Sequence, residues 1–196
     1  MKVTKLVTAP IGTNTYIIDD KIVIDPGTGI GKYISSPVDV LITHGHYDHI
    51  SGLKELSINK VFISKPDMPM LRNPRLNASV YFDEPFSWEK ECYDISDFFN
   101  TIHTPGHTMG SCVILIENYL FTGDTLFSSS VGRTDLEGGS EELLKKSLDL
   151  LKVKLTEIAG DYIIAPGHDM LNNEKLYTVS QILKINPFLK TKNRSL

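Results

Sequence analysis

The chain has six histidines in 196 residues, and they are clustered rather than scattered. His44, His46 and His49 share the run Thr43-His44-Gly45-His46-Tyr47-Asp48-His49. His103 and His107 share HTPGHT, and His168 stands in APGHD. Any one alone reads as a surface or satisfied core histidine. Together, at the ends of apolar runs, they read as a metal site. On an extended backbone, residues i and i+2 point the same way, so His44 and His46 can reach one cation. Asp48 and His49 lie where the chain turns towards a helix and can face a second cation beside the first. Imidazole with carboxylate and no thiolate suits zinc, and also iron or manganese. A structural zinc site would favour cysteines, and Cys92 and Cys112 form no Cys-x-x-Cys pair. The pattern is that of a catalytic site with an open coordination position.

Other motifs are weak. Gly27-Thr28-Gly29-Ile30-Gly31 follows a strand, but its spacing is G-x-G-x-G and Pro26 precedes it. The acidic residue about 20 positions on is Asp48, already part of the histidine cluster. No G-x-S-x-G elbow and no Walker motif occurs. Ser128-Ser129-Ser130 reads as a polar loop.

Positioning these groups falls to a series of short strands. Residues 3–8, 15–18 and 22–24 are β-branched or alternating, and 38–43 is a short apolar run of the buried kind that ends directly in the histidine cluster. Residues 50–56 read as a short helix, 61–64 as a strand, and 65–77, with Pro66, Pro69 and Pro74, as a loop or broken helix. Strands are expected at 98–102, 113–116 and 119–121, with a tight turn at Glu117-Asn118. The clearest helix is 140–155, with Ser140 as N-cap and Leu143, Leu144, Leu148 and Leu151 on one face. A strand at 162–165 leads into PGHD, and a final helix at 174–184 stops before Asn186-Pro187. The polar clusters thus sit at strand ends, where loops on a rigid scaffold build sites.

The length and composition fit one domain over residues 1–196: 41% hydrophobic and 22% charged. Net charge is −4, which argues against nucleic acid or an anionic membrane as partner. No apolar run approaches the roughly 20 residues of a spanning helix, and the first residues lack a signal-peptide core. Two cysteines make no disulfide framework, so a reducing, cytoplasmic location is expected. The sequons at Asn77 and Asn193 mean little in that setting.

THGHYDH at 43–49 resembles the H-x-H-x-D-H signature of the metallo-β-lactamase superfamily. HTPGHTMGS at 103–111, GDTLF at 123–127 and PGHD at 166–169 supply its remaining motifs in order. Asn14-Thr15-Tyr16 and Ile24-Asp25-Pro26-Gly27 look like its early strands. VGRTDL at 131–136 and NPFL at 186–189 are similar to the small glyoxalase II-like hydrolases of that superfamily. The resemblance implies an α/β fold, a four-layered αβ/βα sandwich with metals at one edge between the sheets. It implies His44, His46 and His107 as ligands of a first divalent metal, and Asp48, His49 and His168 as ligands of a second. Asp124 matches the carboxylate that bridges both.

Two such ions, zinc for preference with iron or manganese as alternatives, would outweigh the charge of Asp48 and Asp124. They would hold a bridging hydroxide at neutral pH. Asp48 would orient that hydroxide and take part in its proton transfer, which makes it the candidate catalytic residue. The implied activity is hydrolysis of a small-molecule thioester or ester. The alternatives are a lactonase of the same fold and a mononuclear iron persulfide dioxygenase, in which GRTD also occurs. His103 matches a position that supports the site without binding metal. Arg133 and Asp135 match a loop-ordering ion pair, and Tyr47 a pocket-lining residue. Full glyoxalase II holds glutathione with basic residues of a C-terminal extension. Only 28 residues follow His168, among them Lys190, Lys192 and Arg194, so the resemblance supports hydrolysis more firmly than glutathione.

Overall fold

Alternation along the early strands sends neighbouring side chains to opposite faces of a sheet. The computed structural model describes residues 1–158, 160–169 and 175–190. Its first sheet contains β1 (Val3–Thr8), β2 (Thr13–Ile18), β3 (Ile22–Ile24), β4 (Val38–Ile42), β5 (Ile58–Ile63) and β6 (Tyr93–Asp94), side by side in that order. β1 to β3 form an antiparallel meander, and β3 to β6 run parallel. Ile17, Val23, Val40, Ile42, Val61 and Ile63 face one side, while Tyr16, Ile18, Ile24, Leu41 and Phe62 face the other. The apolar stretch of β4, residues 40–42, is therefore covered on both faces, as a parallel strand must be.

The second sheet has the order β11-β10-β9-β8-β7, made of β7 (Asn100–His103), β8 (Cys112–Ile116), β9 (Tyr119–Gly123), β10 (Ile163–Pro166) and β11 (Tyr177–Thr178). Cys112, Ile114, Phe121 and Ala165 meet the first sheet across the central core. The outer face, with Val113, Leu120 and Ile164, packs against α2 (Glu141–Glu157) and α3 (Val179–Ile185) through Leu144, Leu148, Leu151, Leu155, Val179 and Ile182. The first sheet is covered by α1 (Tyr47–Ile50) and by 3-10 turns at Ser51–Glu55 and Lys65–Arg72. These bury Tyr47, Ile50, Leu53 and Leu71, together with Phe86 and Trp88. The result is the expected αβ/βα sandwich, the fold of the metallo-β-lactamases. No described helix is long and apolar enough to cross a membrane.

Local chemistry explains where the elements depart from expectation. The helix expected at 50–56 is a single α-turn that tightens into 3-10 geometry. Gly52 lies against the Gly27 carbonyl so closely that a Cβ would sit 2.4 Å from that oxygen. α2 keeps its predicted cap, Ser140 Oγ accepting from Leu143 N–H at 3.3 Å, and runs two residues beyond Leu155. The last helix is the main correction. Glu174, its expected start, lies outside the described residues, and Tyr177–Thr178 form β11 against Ile163 and Ile164. The helix opens only at Val179, where Thr178 and Gln181 make a capping box. The β-branched Thr178 thus serves as strand and cap instead of helix interior.

Asn14 and Tyr16 tie the two sheets together beside the histidines. Asn14 N–H donates to the Gly167 carbonyl at 2.7 Å, and Asn14 Nδ2 donates to the Pro166 carbonyl at 3.0 Å. Tyr16 Oη donates to the same Pro166 oxygen at 2.7 Å, while its ring packs edge-on against Phe121. The strand end that carries His168 is thereby fixed to β2. Tyr16→Phe keeps the packing and removes one of two donors to Pro166. It should lower unfolding free energy by about 1 kcal/mol, with an unchanged dependence on denaturant concentration, in a urea titration.

Candidate metal centre

The seven expected ligands come from four strand ends. β4 runs out into His44 and His46, with Asp48 and His49 in α1 just beyond. His107 lies in the loop between β7 and β8, Asp124 follows β9, and His168 follows β10. The fold brings all of them together, in three overlapping groups whose nitrogen and oxygen atoms lie within 4.8 Å of one another. These are His44–His46–His107, His44–His49–Asp124 and Asp48–His49–His168. Of the seven, only Asp124 and His168 are half-buried; the others are buried, so the centre opens on that side.

Outer hydrogen bonds decide which ring nitrogen faces inward. His49 Nδ1–H donates to Asp25 Oδ2 at 3.0 Å, and His107 Nδ1–H to the Arg133 carbonyl at 2.7 Å. His168 Nδ1–H donates to the Gly12 carbonyl at 3.2 Å. Thr43 Oγ1 spends its proton on Asp25 Oδ2 at 2.7 Å, which leaves it to accept from His44 Nδ1–H at 3.2 Å. These contacts set the tautomers and leave four Nε2 lone pairs aimed inward.

His46 presents Nδ1 instead, 2.8 Å from His107 Nε2, which is itself 3.2 Å from His44 Nε2. His49 Nε2 lies 3.1 Å from Asp48 Oδ2 and 3.4 Å from Asp124 Oδ1, and His168 Nε2 lies 3.1 Å from Asp48 Oδ2. Lone pairs facing lone pairs and carboxylates repel unless a cation lies among them. Ligands bonded tetrahedrally at about 2.0–2.1 Å are about 3.3 Å apart, close to these spacings. The buried atoms His49 Nε2 and Asp124 Oδ1 also have no hydrogen-bond partner among the described residues. The residues fit a metal, and the three groups run into one another through His44 and His49.

The electrostatics agree. Burial, with the neighbouring imidazoles His49, His107 and His46, holds His44 well below its ordinary pKa. Burial and His107 bring His46 down to about 3. Burial also opposes charge on His49, but Asp48, Asp124 and Asp25 outweigh it and raise that pKa. The same contest, with Asp48 and Asp124, raises His168. For both aspartates burial favours the neutral acid, yet the surrounding imidazoles prevail. Asp48 lies well below the carboxylate range, and Asp124 at about 2.

Several residues that support this arrangement were given no role by the sequence. Asp25 accepts from Thr43 N–H at 2.8 Å as well as from the Thr43 hydroxyl and His49. Thr13 Oγ1 donates to Asp48 Oδ2 at 2.7 Å. The one advance signal was the place of Asp25, at the end of an apolar strand before Pro26-Gly27. His103 lies outside the ligand groups, exposed at the end of β7, and donates to the Met109 carbonyl at 2.9 Å. Arg133 forks onto Asp135 at 2.6 and 2.7 Å on the surface. The ring of Tyr47 packs on Phe82 and Phe86, and its hydroxyl donates to Glu84. Asn77 is fully buried, with its amide donating to the Met70 and Phe86 carbonyls, so this sequon is closed to glycosylation. Asn193, Lys192 and Arg194 lie outside the described residues. The glycine-rich loop offers no phosphate cradle, because Glu55 takes the Gly29 and Gly31 N–H groups at 2.8–3.0 Å.

Residues 8–168 match the metallo-beta-lactamase superfamily, and the chain belongs to it. With its paired histidine and aspartate groups, it is a metal-binding member. A probable metallo-hydrolase of Methanocaldococcus jannaschii is 30% identical over 194 residues, 87% of this chain and 94% of that protein. Among solved structures, the B3 metallo-beta-lactamase BLEG-1 is 30% identical with a TM-score of 0.80, covering 97% of this chain and 100% of that one. TTHA1623, solved in a di-iron-bound form, shares the fold at 24% identity and a TM-score of 0.78, with 95% and 100% coverage.

The titrations give a pH prediction for metal-stripped protein. The unfolded chain protonates histidine below about pH 6.5, whereas folded His44 and His46 stay neutral, so stability falls as pH drops beneath that value. Asp48 and Asp124 add to the loss at lower pH, as it falls through their depressed values. His49 and His168 act oppositely: their contribution is full below about pH 6.5 and is lost as pH rises through their raised values. Thermal unfolding in excess chelator should therefore show maximum stability near pH 6.5, with lower melting temperatures on both sides. A flat profile would contradict this charge arrangement.

Proposed function

We propose that the protein is a dinuclear hydrolase of small-molecule thioesters or esters, with zinc as the metal that its ligands suit best. The observation that carries this reading is the meeting of two ligand sets on one carboxylate. Asp124 Oδ2 lies 3.5 Å from His107 Nε2, and Oδ1 lies 3.4 Å from His49 Nε2. When bound, a pair of divalent cations supplies Lewis acidity and makes water a nucleophile at neutral pH.

The chain supplies the rest. Asp48 stays ionised, and Thr13 fixes its orientation through Oδ2. The carboxylate orients the attacking water and takes up its proton. Asp124 and His168 form the open side, where Phe127 stands edge-on to His168 with ring centroids 6.0 Å apart. Substrate enters there. The preference for thioesters rests on the likeness of VGRTDL and NPFL to the glyoxalase II-like hydrolases. Asn186 Nδ2 donates to the Phe127 and Ser130 carbonyls, both at 3.0 Å, and so braces the loop from Asp124 to Arg133.

Metal analysis with a thioester assay tests the reading. Purified protein should hold close to two metal ions per chain, release free thiol from S-lactoylglutathione or a simpler thioester, and consume no oxygen. Asp124→Asn should lower kcat by orders of magnitude, because it removes the charge between the two ligand sets. A single iron, with persulfide-dependent oxygen uptake and no thioesterase activity, would overturn the proposal in favour of a dioxygenase.

A further inference from the structure

Asp67 lies outside the ligand set, yet its contacts reach both loops that carry the first one. It sits in the 3-10 turn Lys65–Arg72 and is 1% exposed. Its backbone N–H is tied to the Ser64 carbonyl at 2.9 Å, so the turn aims the side chain. Oδ2 accepts from Gly45 N–H at 2.9 Å and from Thr108 Oγ1 at 2.7 Å. Oδ1 accepts from Gly110 N–H at 2.7 Å. Gly45 separates His44 from His46, and Thr108 follows His107.

The slot has no slack. A Cβ on Gly110 would come within 2.5 Å of Asp67 Cγ, and a Cβ on Gly45 within 2.6 Å of Met70 Cβ. Both glycines are needed to let the turn approach. On the far side of His46, Tyr47 N–H donates to the Asn77 carbonyl at 2.8 Å. The backbone around His46 is therefore held from both flanks by the segment that follows β5.

We propose that Asp67 is a positioning residue for the first metal site: one buried carboxylate fixes the loop of His44 and His46 to the loop of His107. The proposal rests on the two-site reading above. Each Asp67 oxygen must act as an acceptor. The partners are two backbone N–H groups, whose direction is fixed, and a hydroxyl. In Asp67→Asn, which keeps the shape, the amide NH2 must face at least one backbone N–H. One loop then loses its anchor. The second set, Asp48, His49 and His168, is oriented by Thr13, Asp25 and Gly12 and makes none of these contacts.

The test separates the sites by deleting one at a time. Zinc affinity is measured by competition with a chelator in a His168→Ala background, which isolates the first site, and in a His46→Ala background, which isolates the second. Asp67→Asn should weaken zinc about 10–100-fold in the first background and leave the second unchanged. Thr108→Val removes the hydroxyl that donates to Asp67 and accepts from Ser111 Oγ at 2.7 Å, and leaves both backbone donors to Asp67 in place. It should act in the same direction more weakly, and it keeps the test available if Asp67→Asn does not fold. Equal weakening in both backgrounds, or in neither, would overturn the proposal and reduce Asp67 to general packing. The protein without these substitutions tests the prior reading separately. If it binds only one zinc, the two-site reading fails, while the effect of Asp67 on that one ion is still measured.

Discussion

The edge of the sandwich depends on turning the inner nitrogens of its imidazoles toward one another. Four rings are oriented this way by donating Nδ1–H outward, to Asp25, Thr43, and the Arg133 and Gly12 carbonyls. Each acceptor belongs to a different stretch of chain, so the protonation pattern of the centre is a property of the assembled fold. Metal affinity and folding are linked for the same reason, because a cation relieves a repulsion that folding creates.

The sheets supply the rigidity this requires. β4, β9 and β10 each deliver ligands just past their ends, and Tyr16 and Asn14 hold the β10 end to β2. A strand end is a good platform because its backbone is committed to ladder hydrogen bonds up to the last residue. Loop drift is small over the few residues that remain. The cost is burial of charge. Asp48, Asp124 and Asp25 sit within a set of close histidines, and each carboxylate has imidazole contacts that offset its desolvation.

Much of this was legible in the sequence. β1 and β3 fall where alternation and β-branching put them, and the Ser140 cap starts α2. Types and spacing pointed to His44, His46, Asp48 and His49, and the family resemblance added His107, Asp124 and His168; the fold brings all seven together. The supporting residues were less legible, because an outer hydrogen bond leaves no spacing signature. Thr13 and Asp48 are 35 positions apart, and Asp67 and Gly110 are 43 apart. The misread last helix has a local cause: Thr178 is both a strand former and a helix cap. The proline-rich run from Lys65, expected as a loop or broken helix, forms a 3-10 turn whose value lies in one side chain. NPFL, similar to a family motif, proves to be a brace through Asn186, whose amide holds two carbonyl groups.

The glycine loop after β3 shows how a chain guards its own anion sites. Exposed, converging N–H groups attract phosphate or carboxylate regardless of function. Here Glu55 occupies them from within the same fold, at three contacts of 2.8–3.0 Å. Because it is tethered, it competes at an effective concentration that a free metabolite must exceed to displace it. The chain's own carboxylate thus fills the position that a free anion would otherwise take at Gly29 and Gly31.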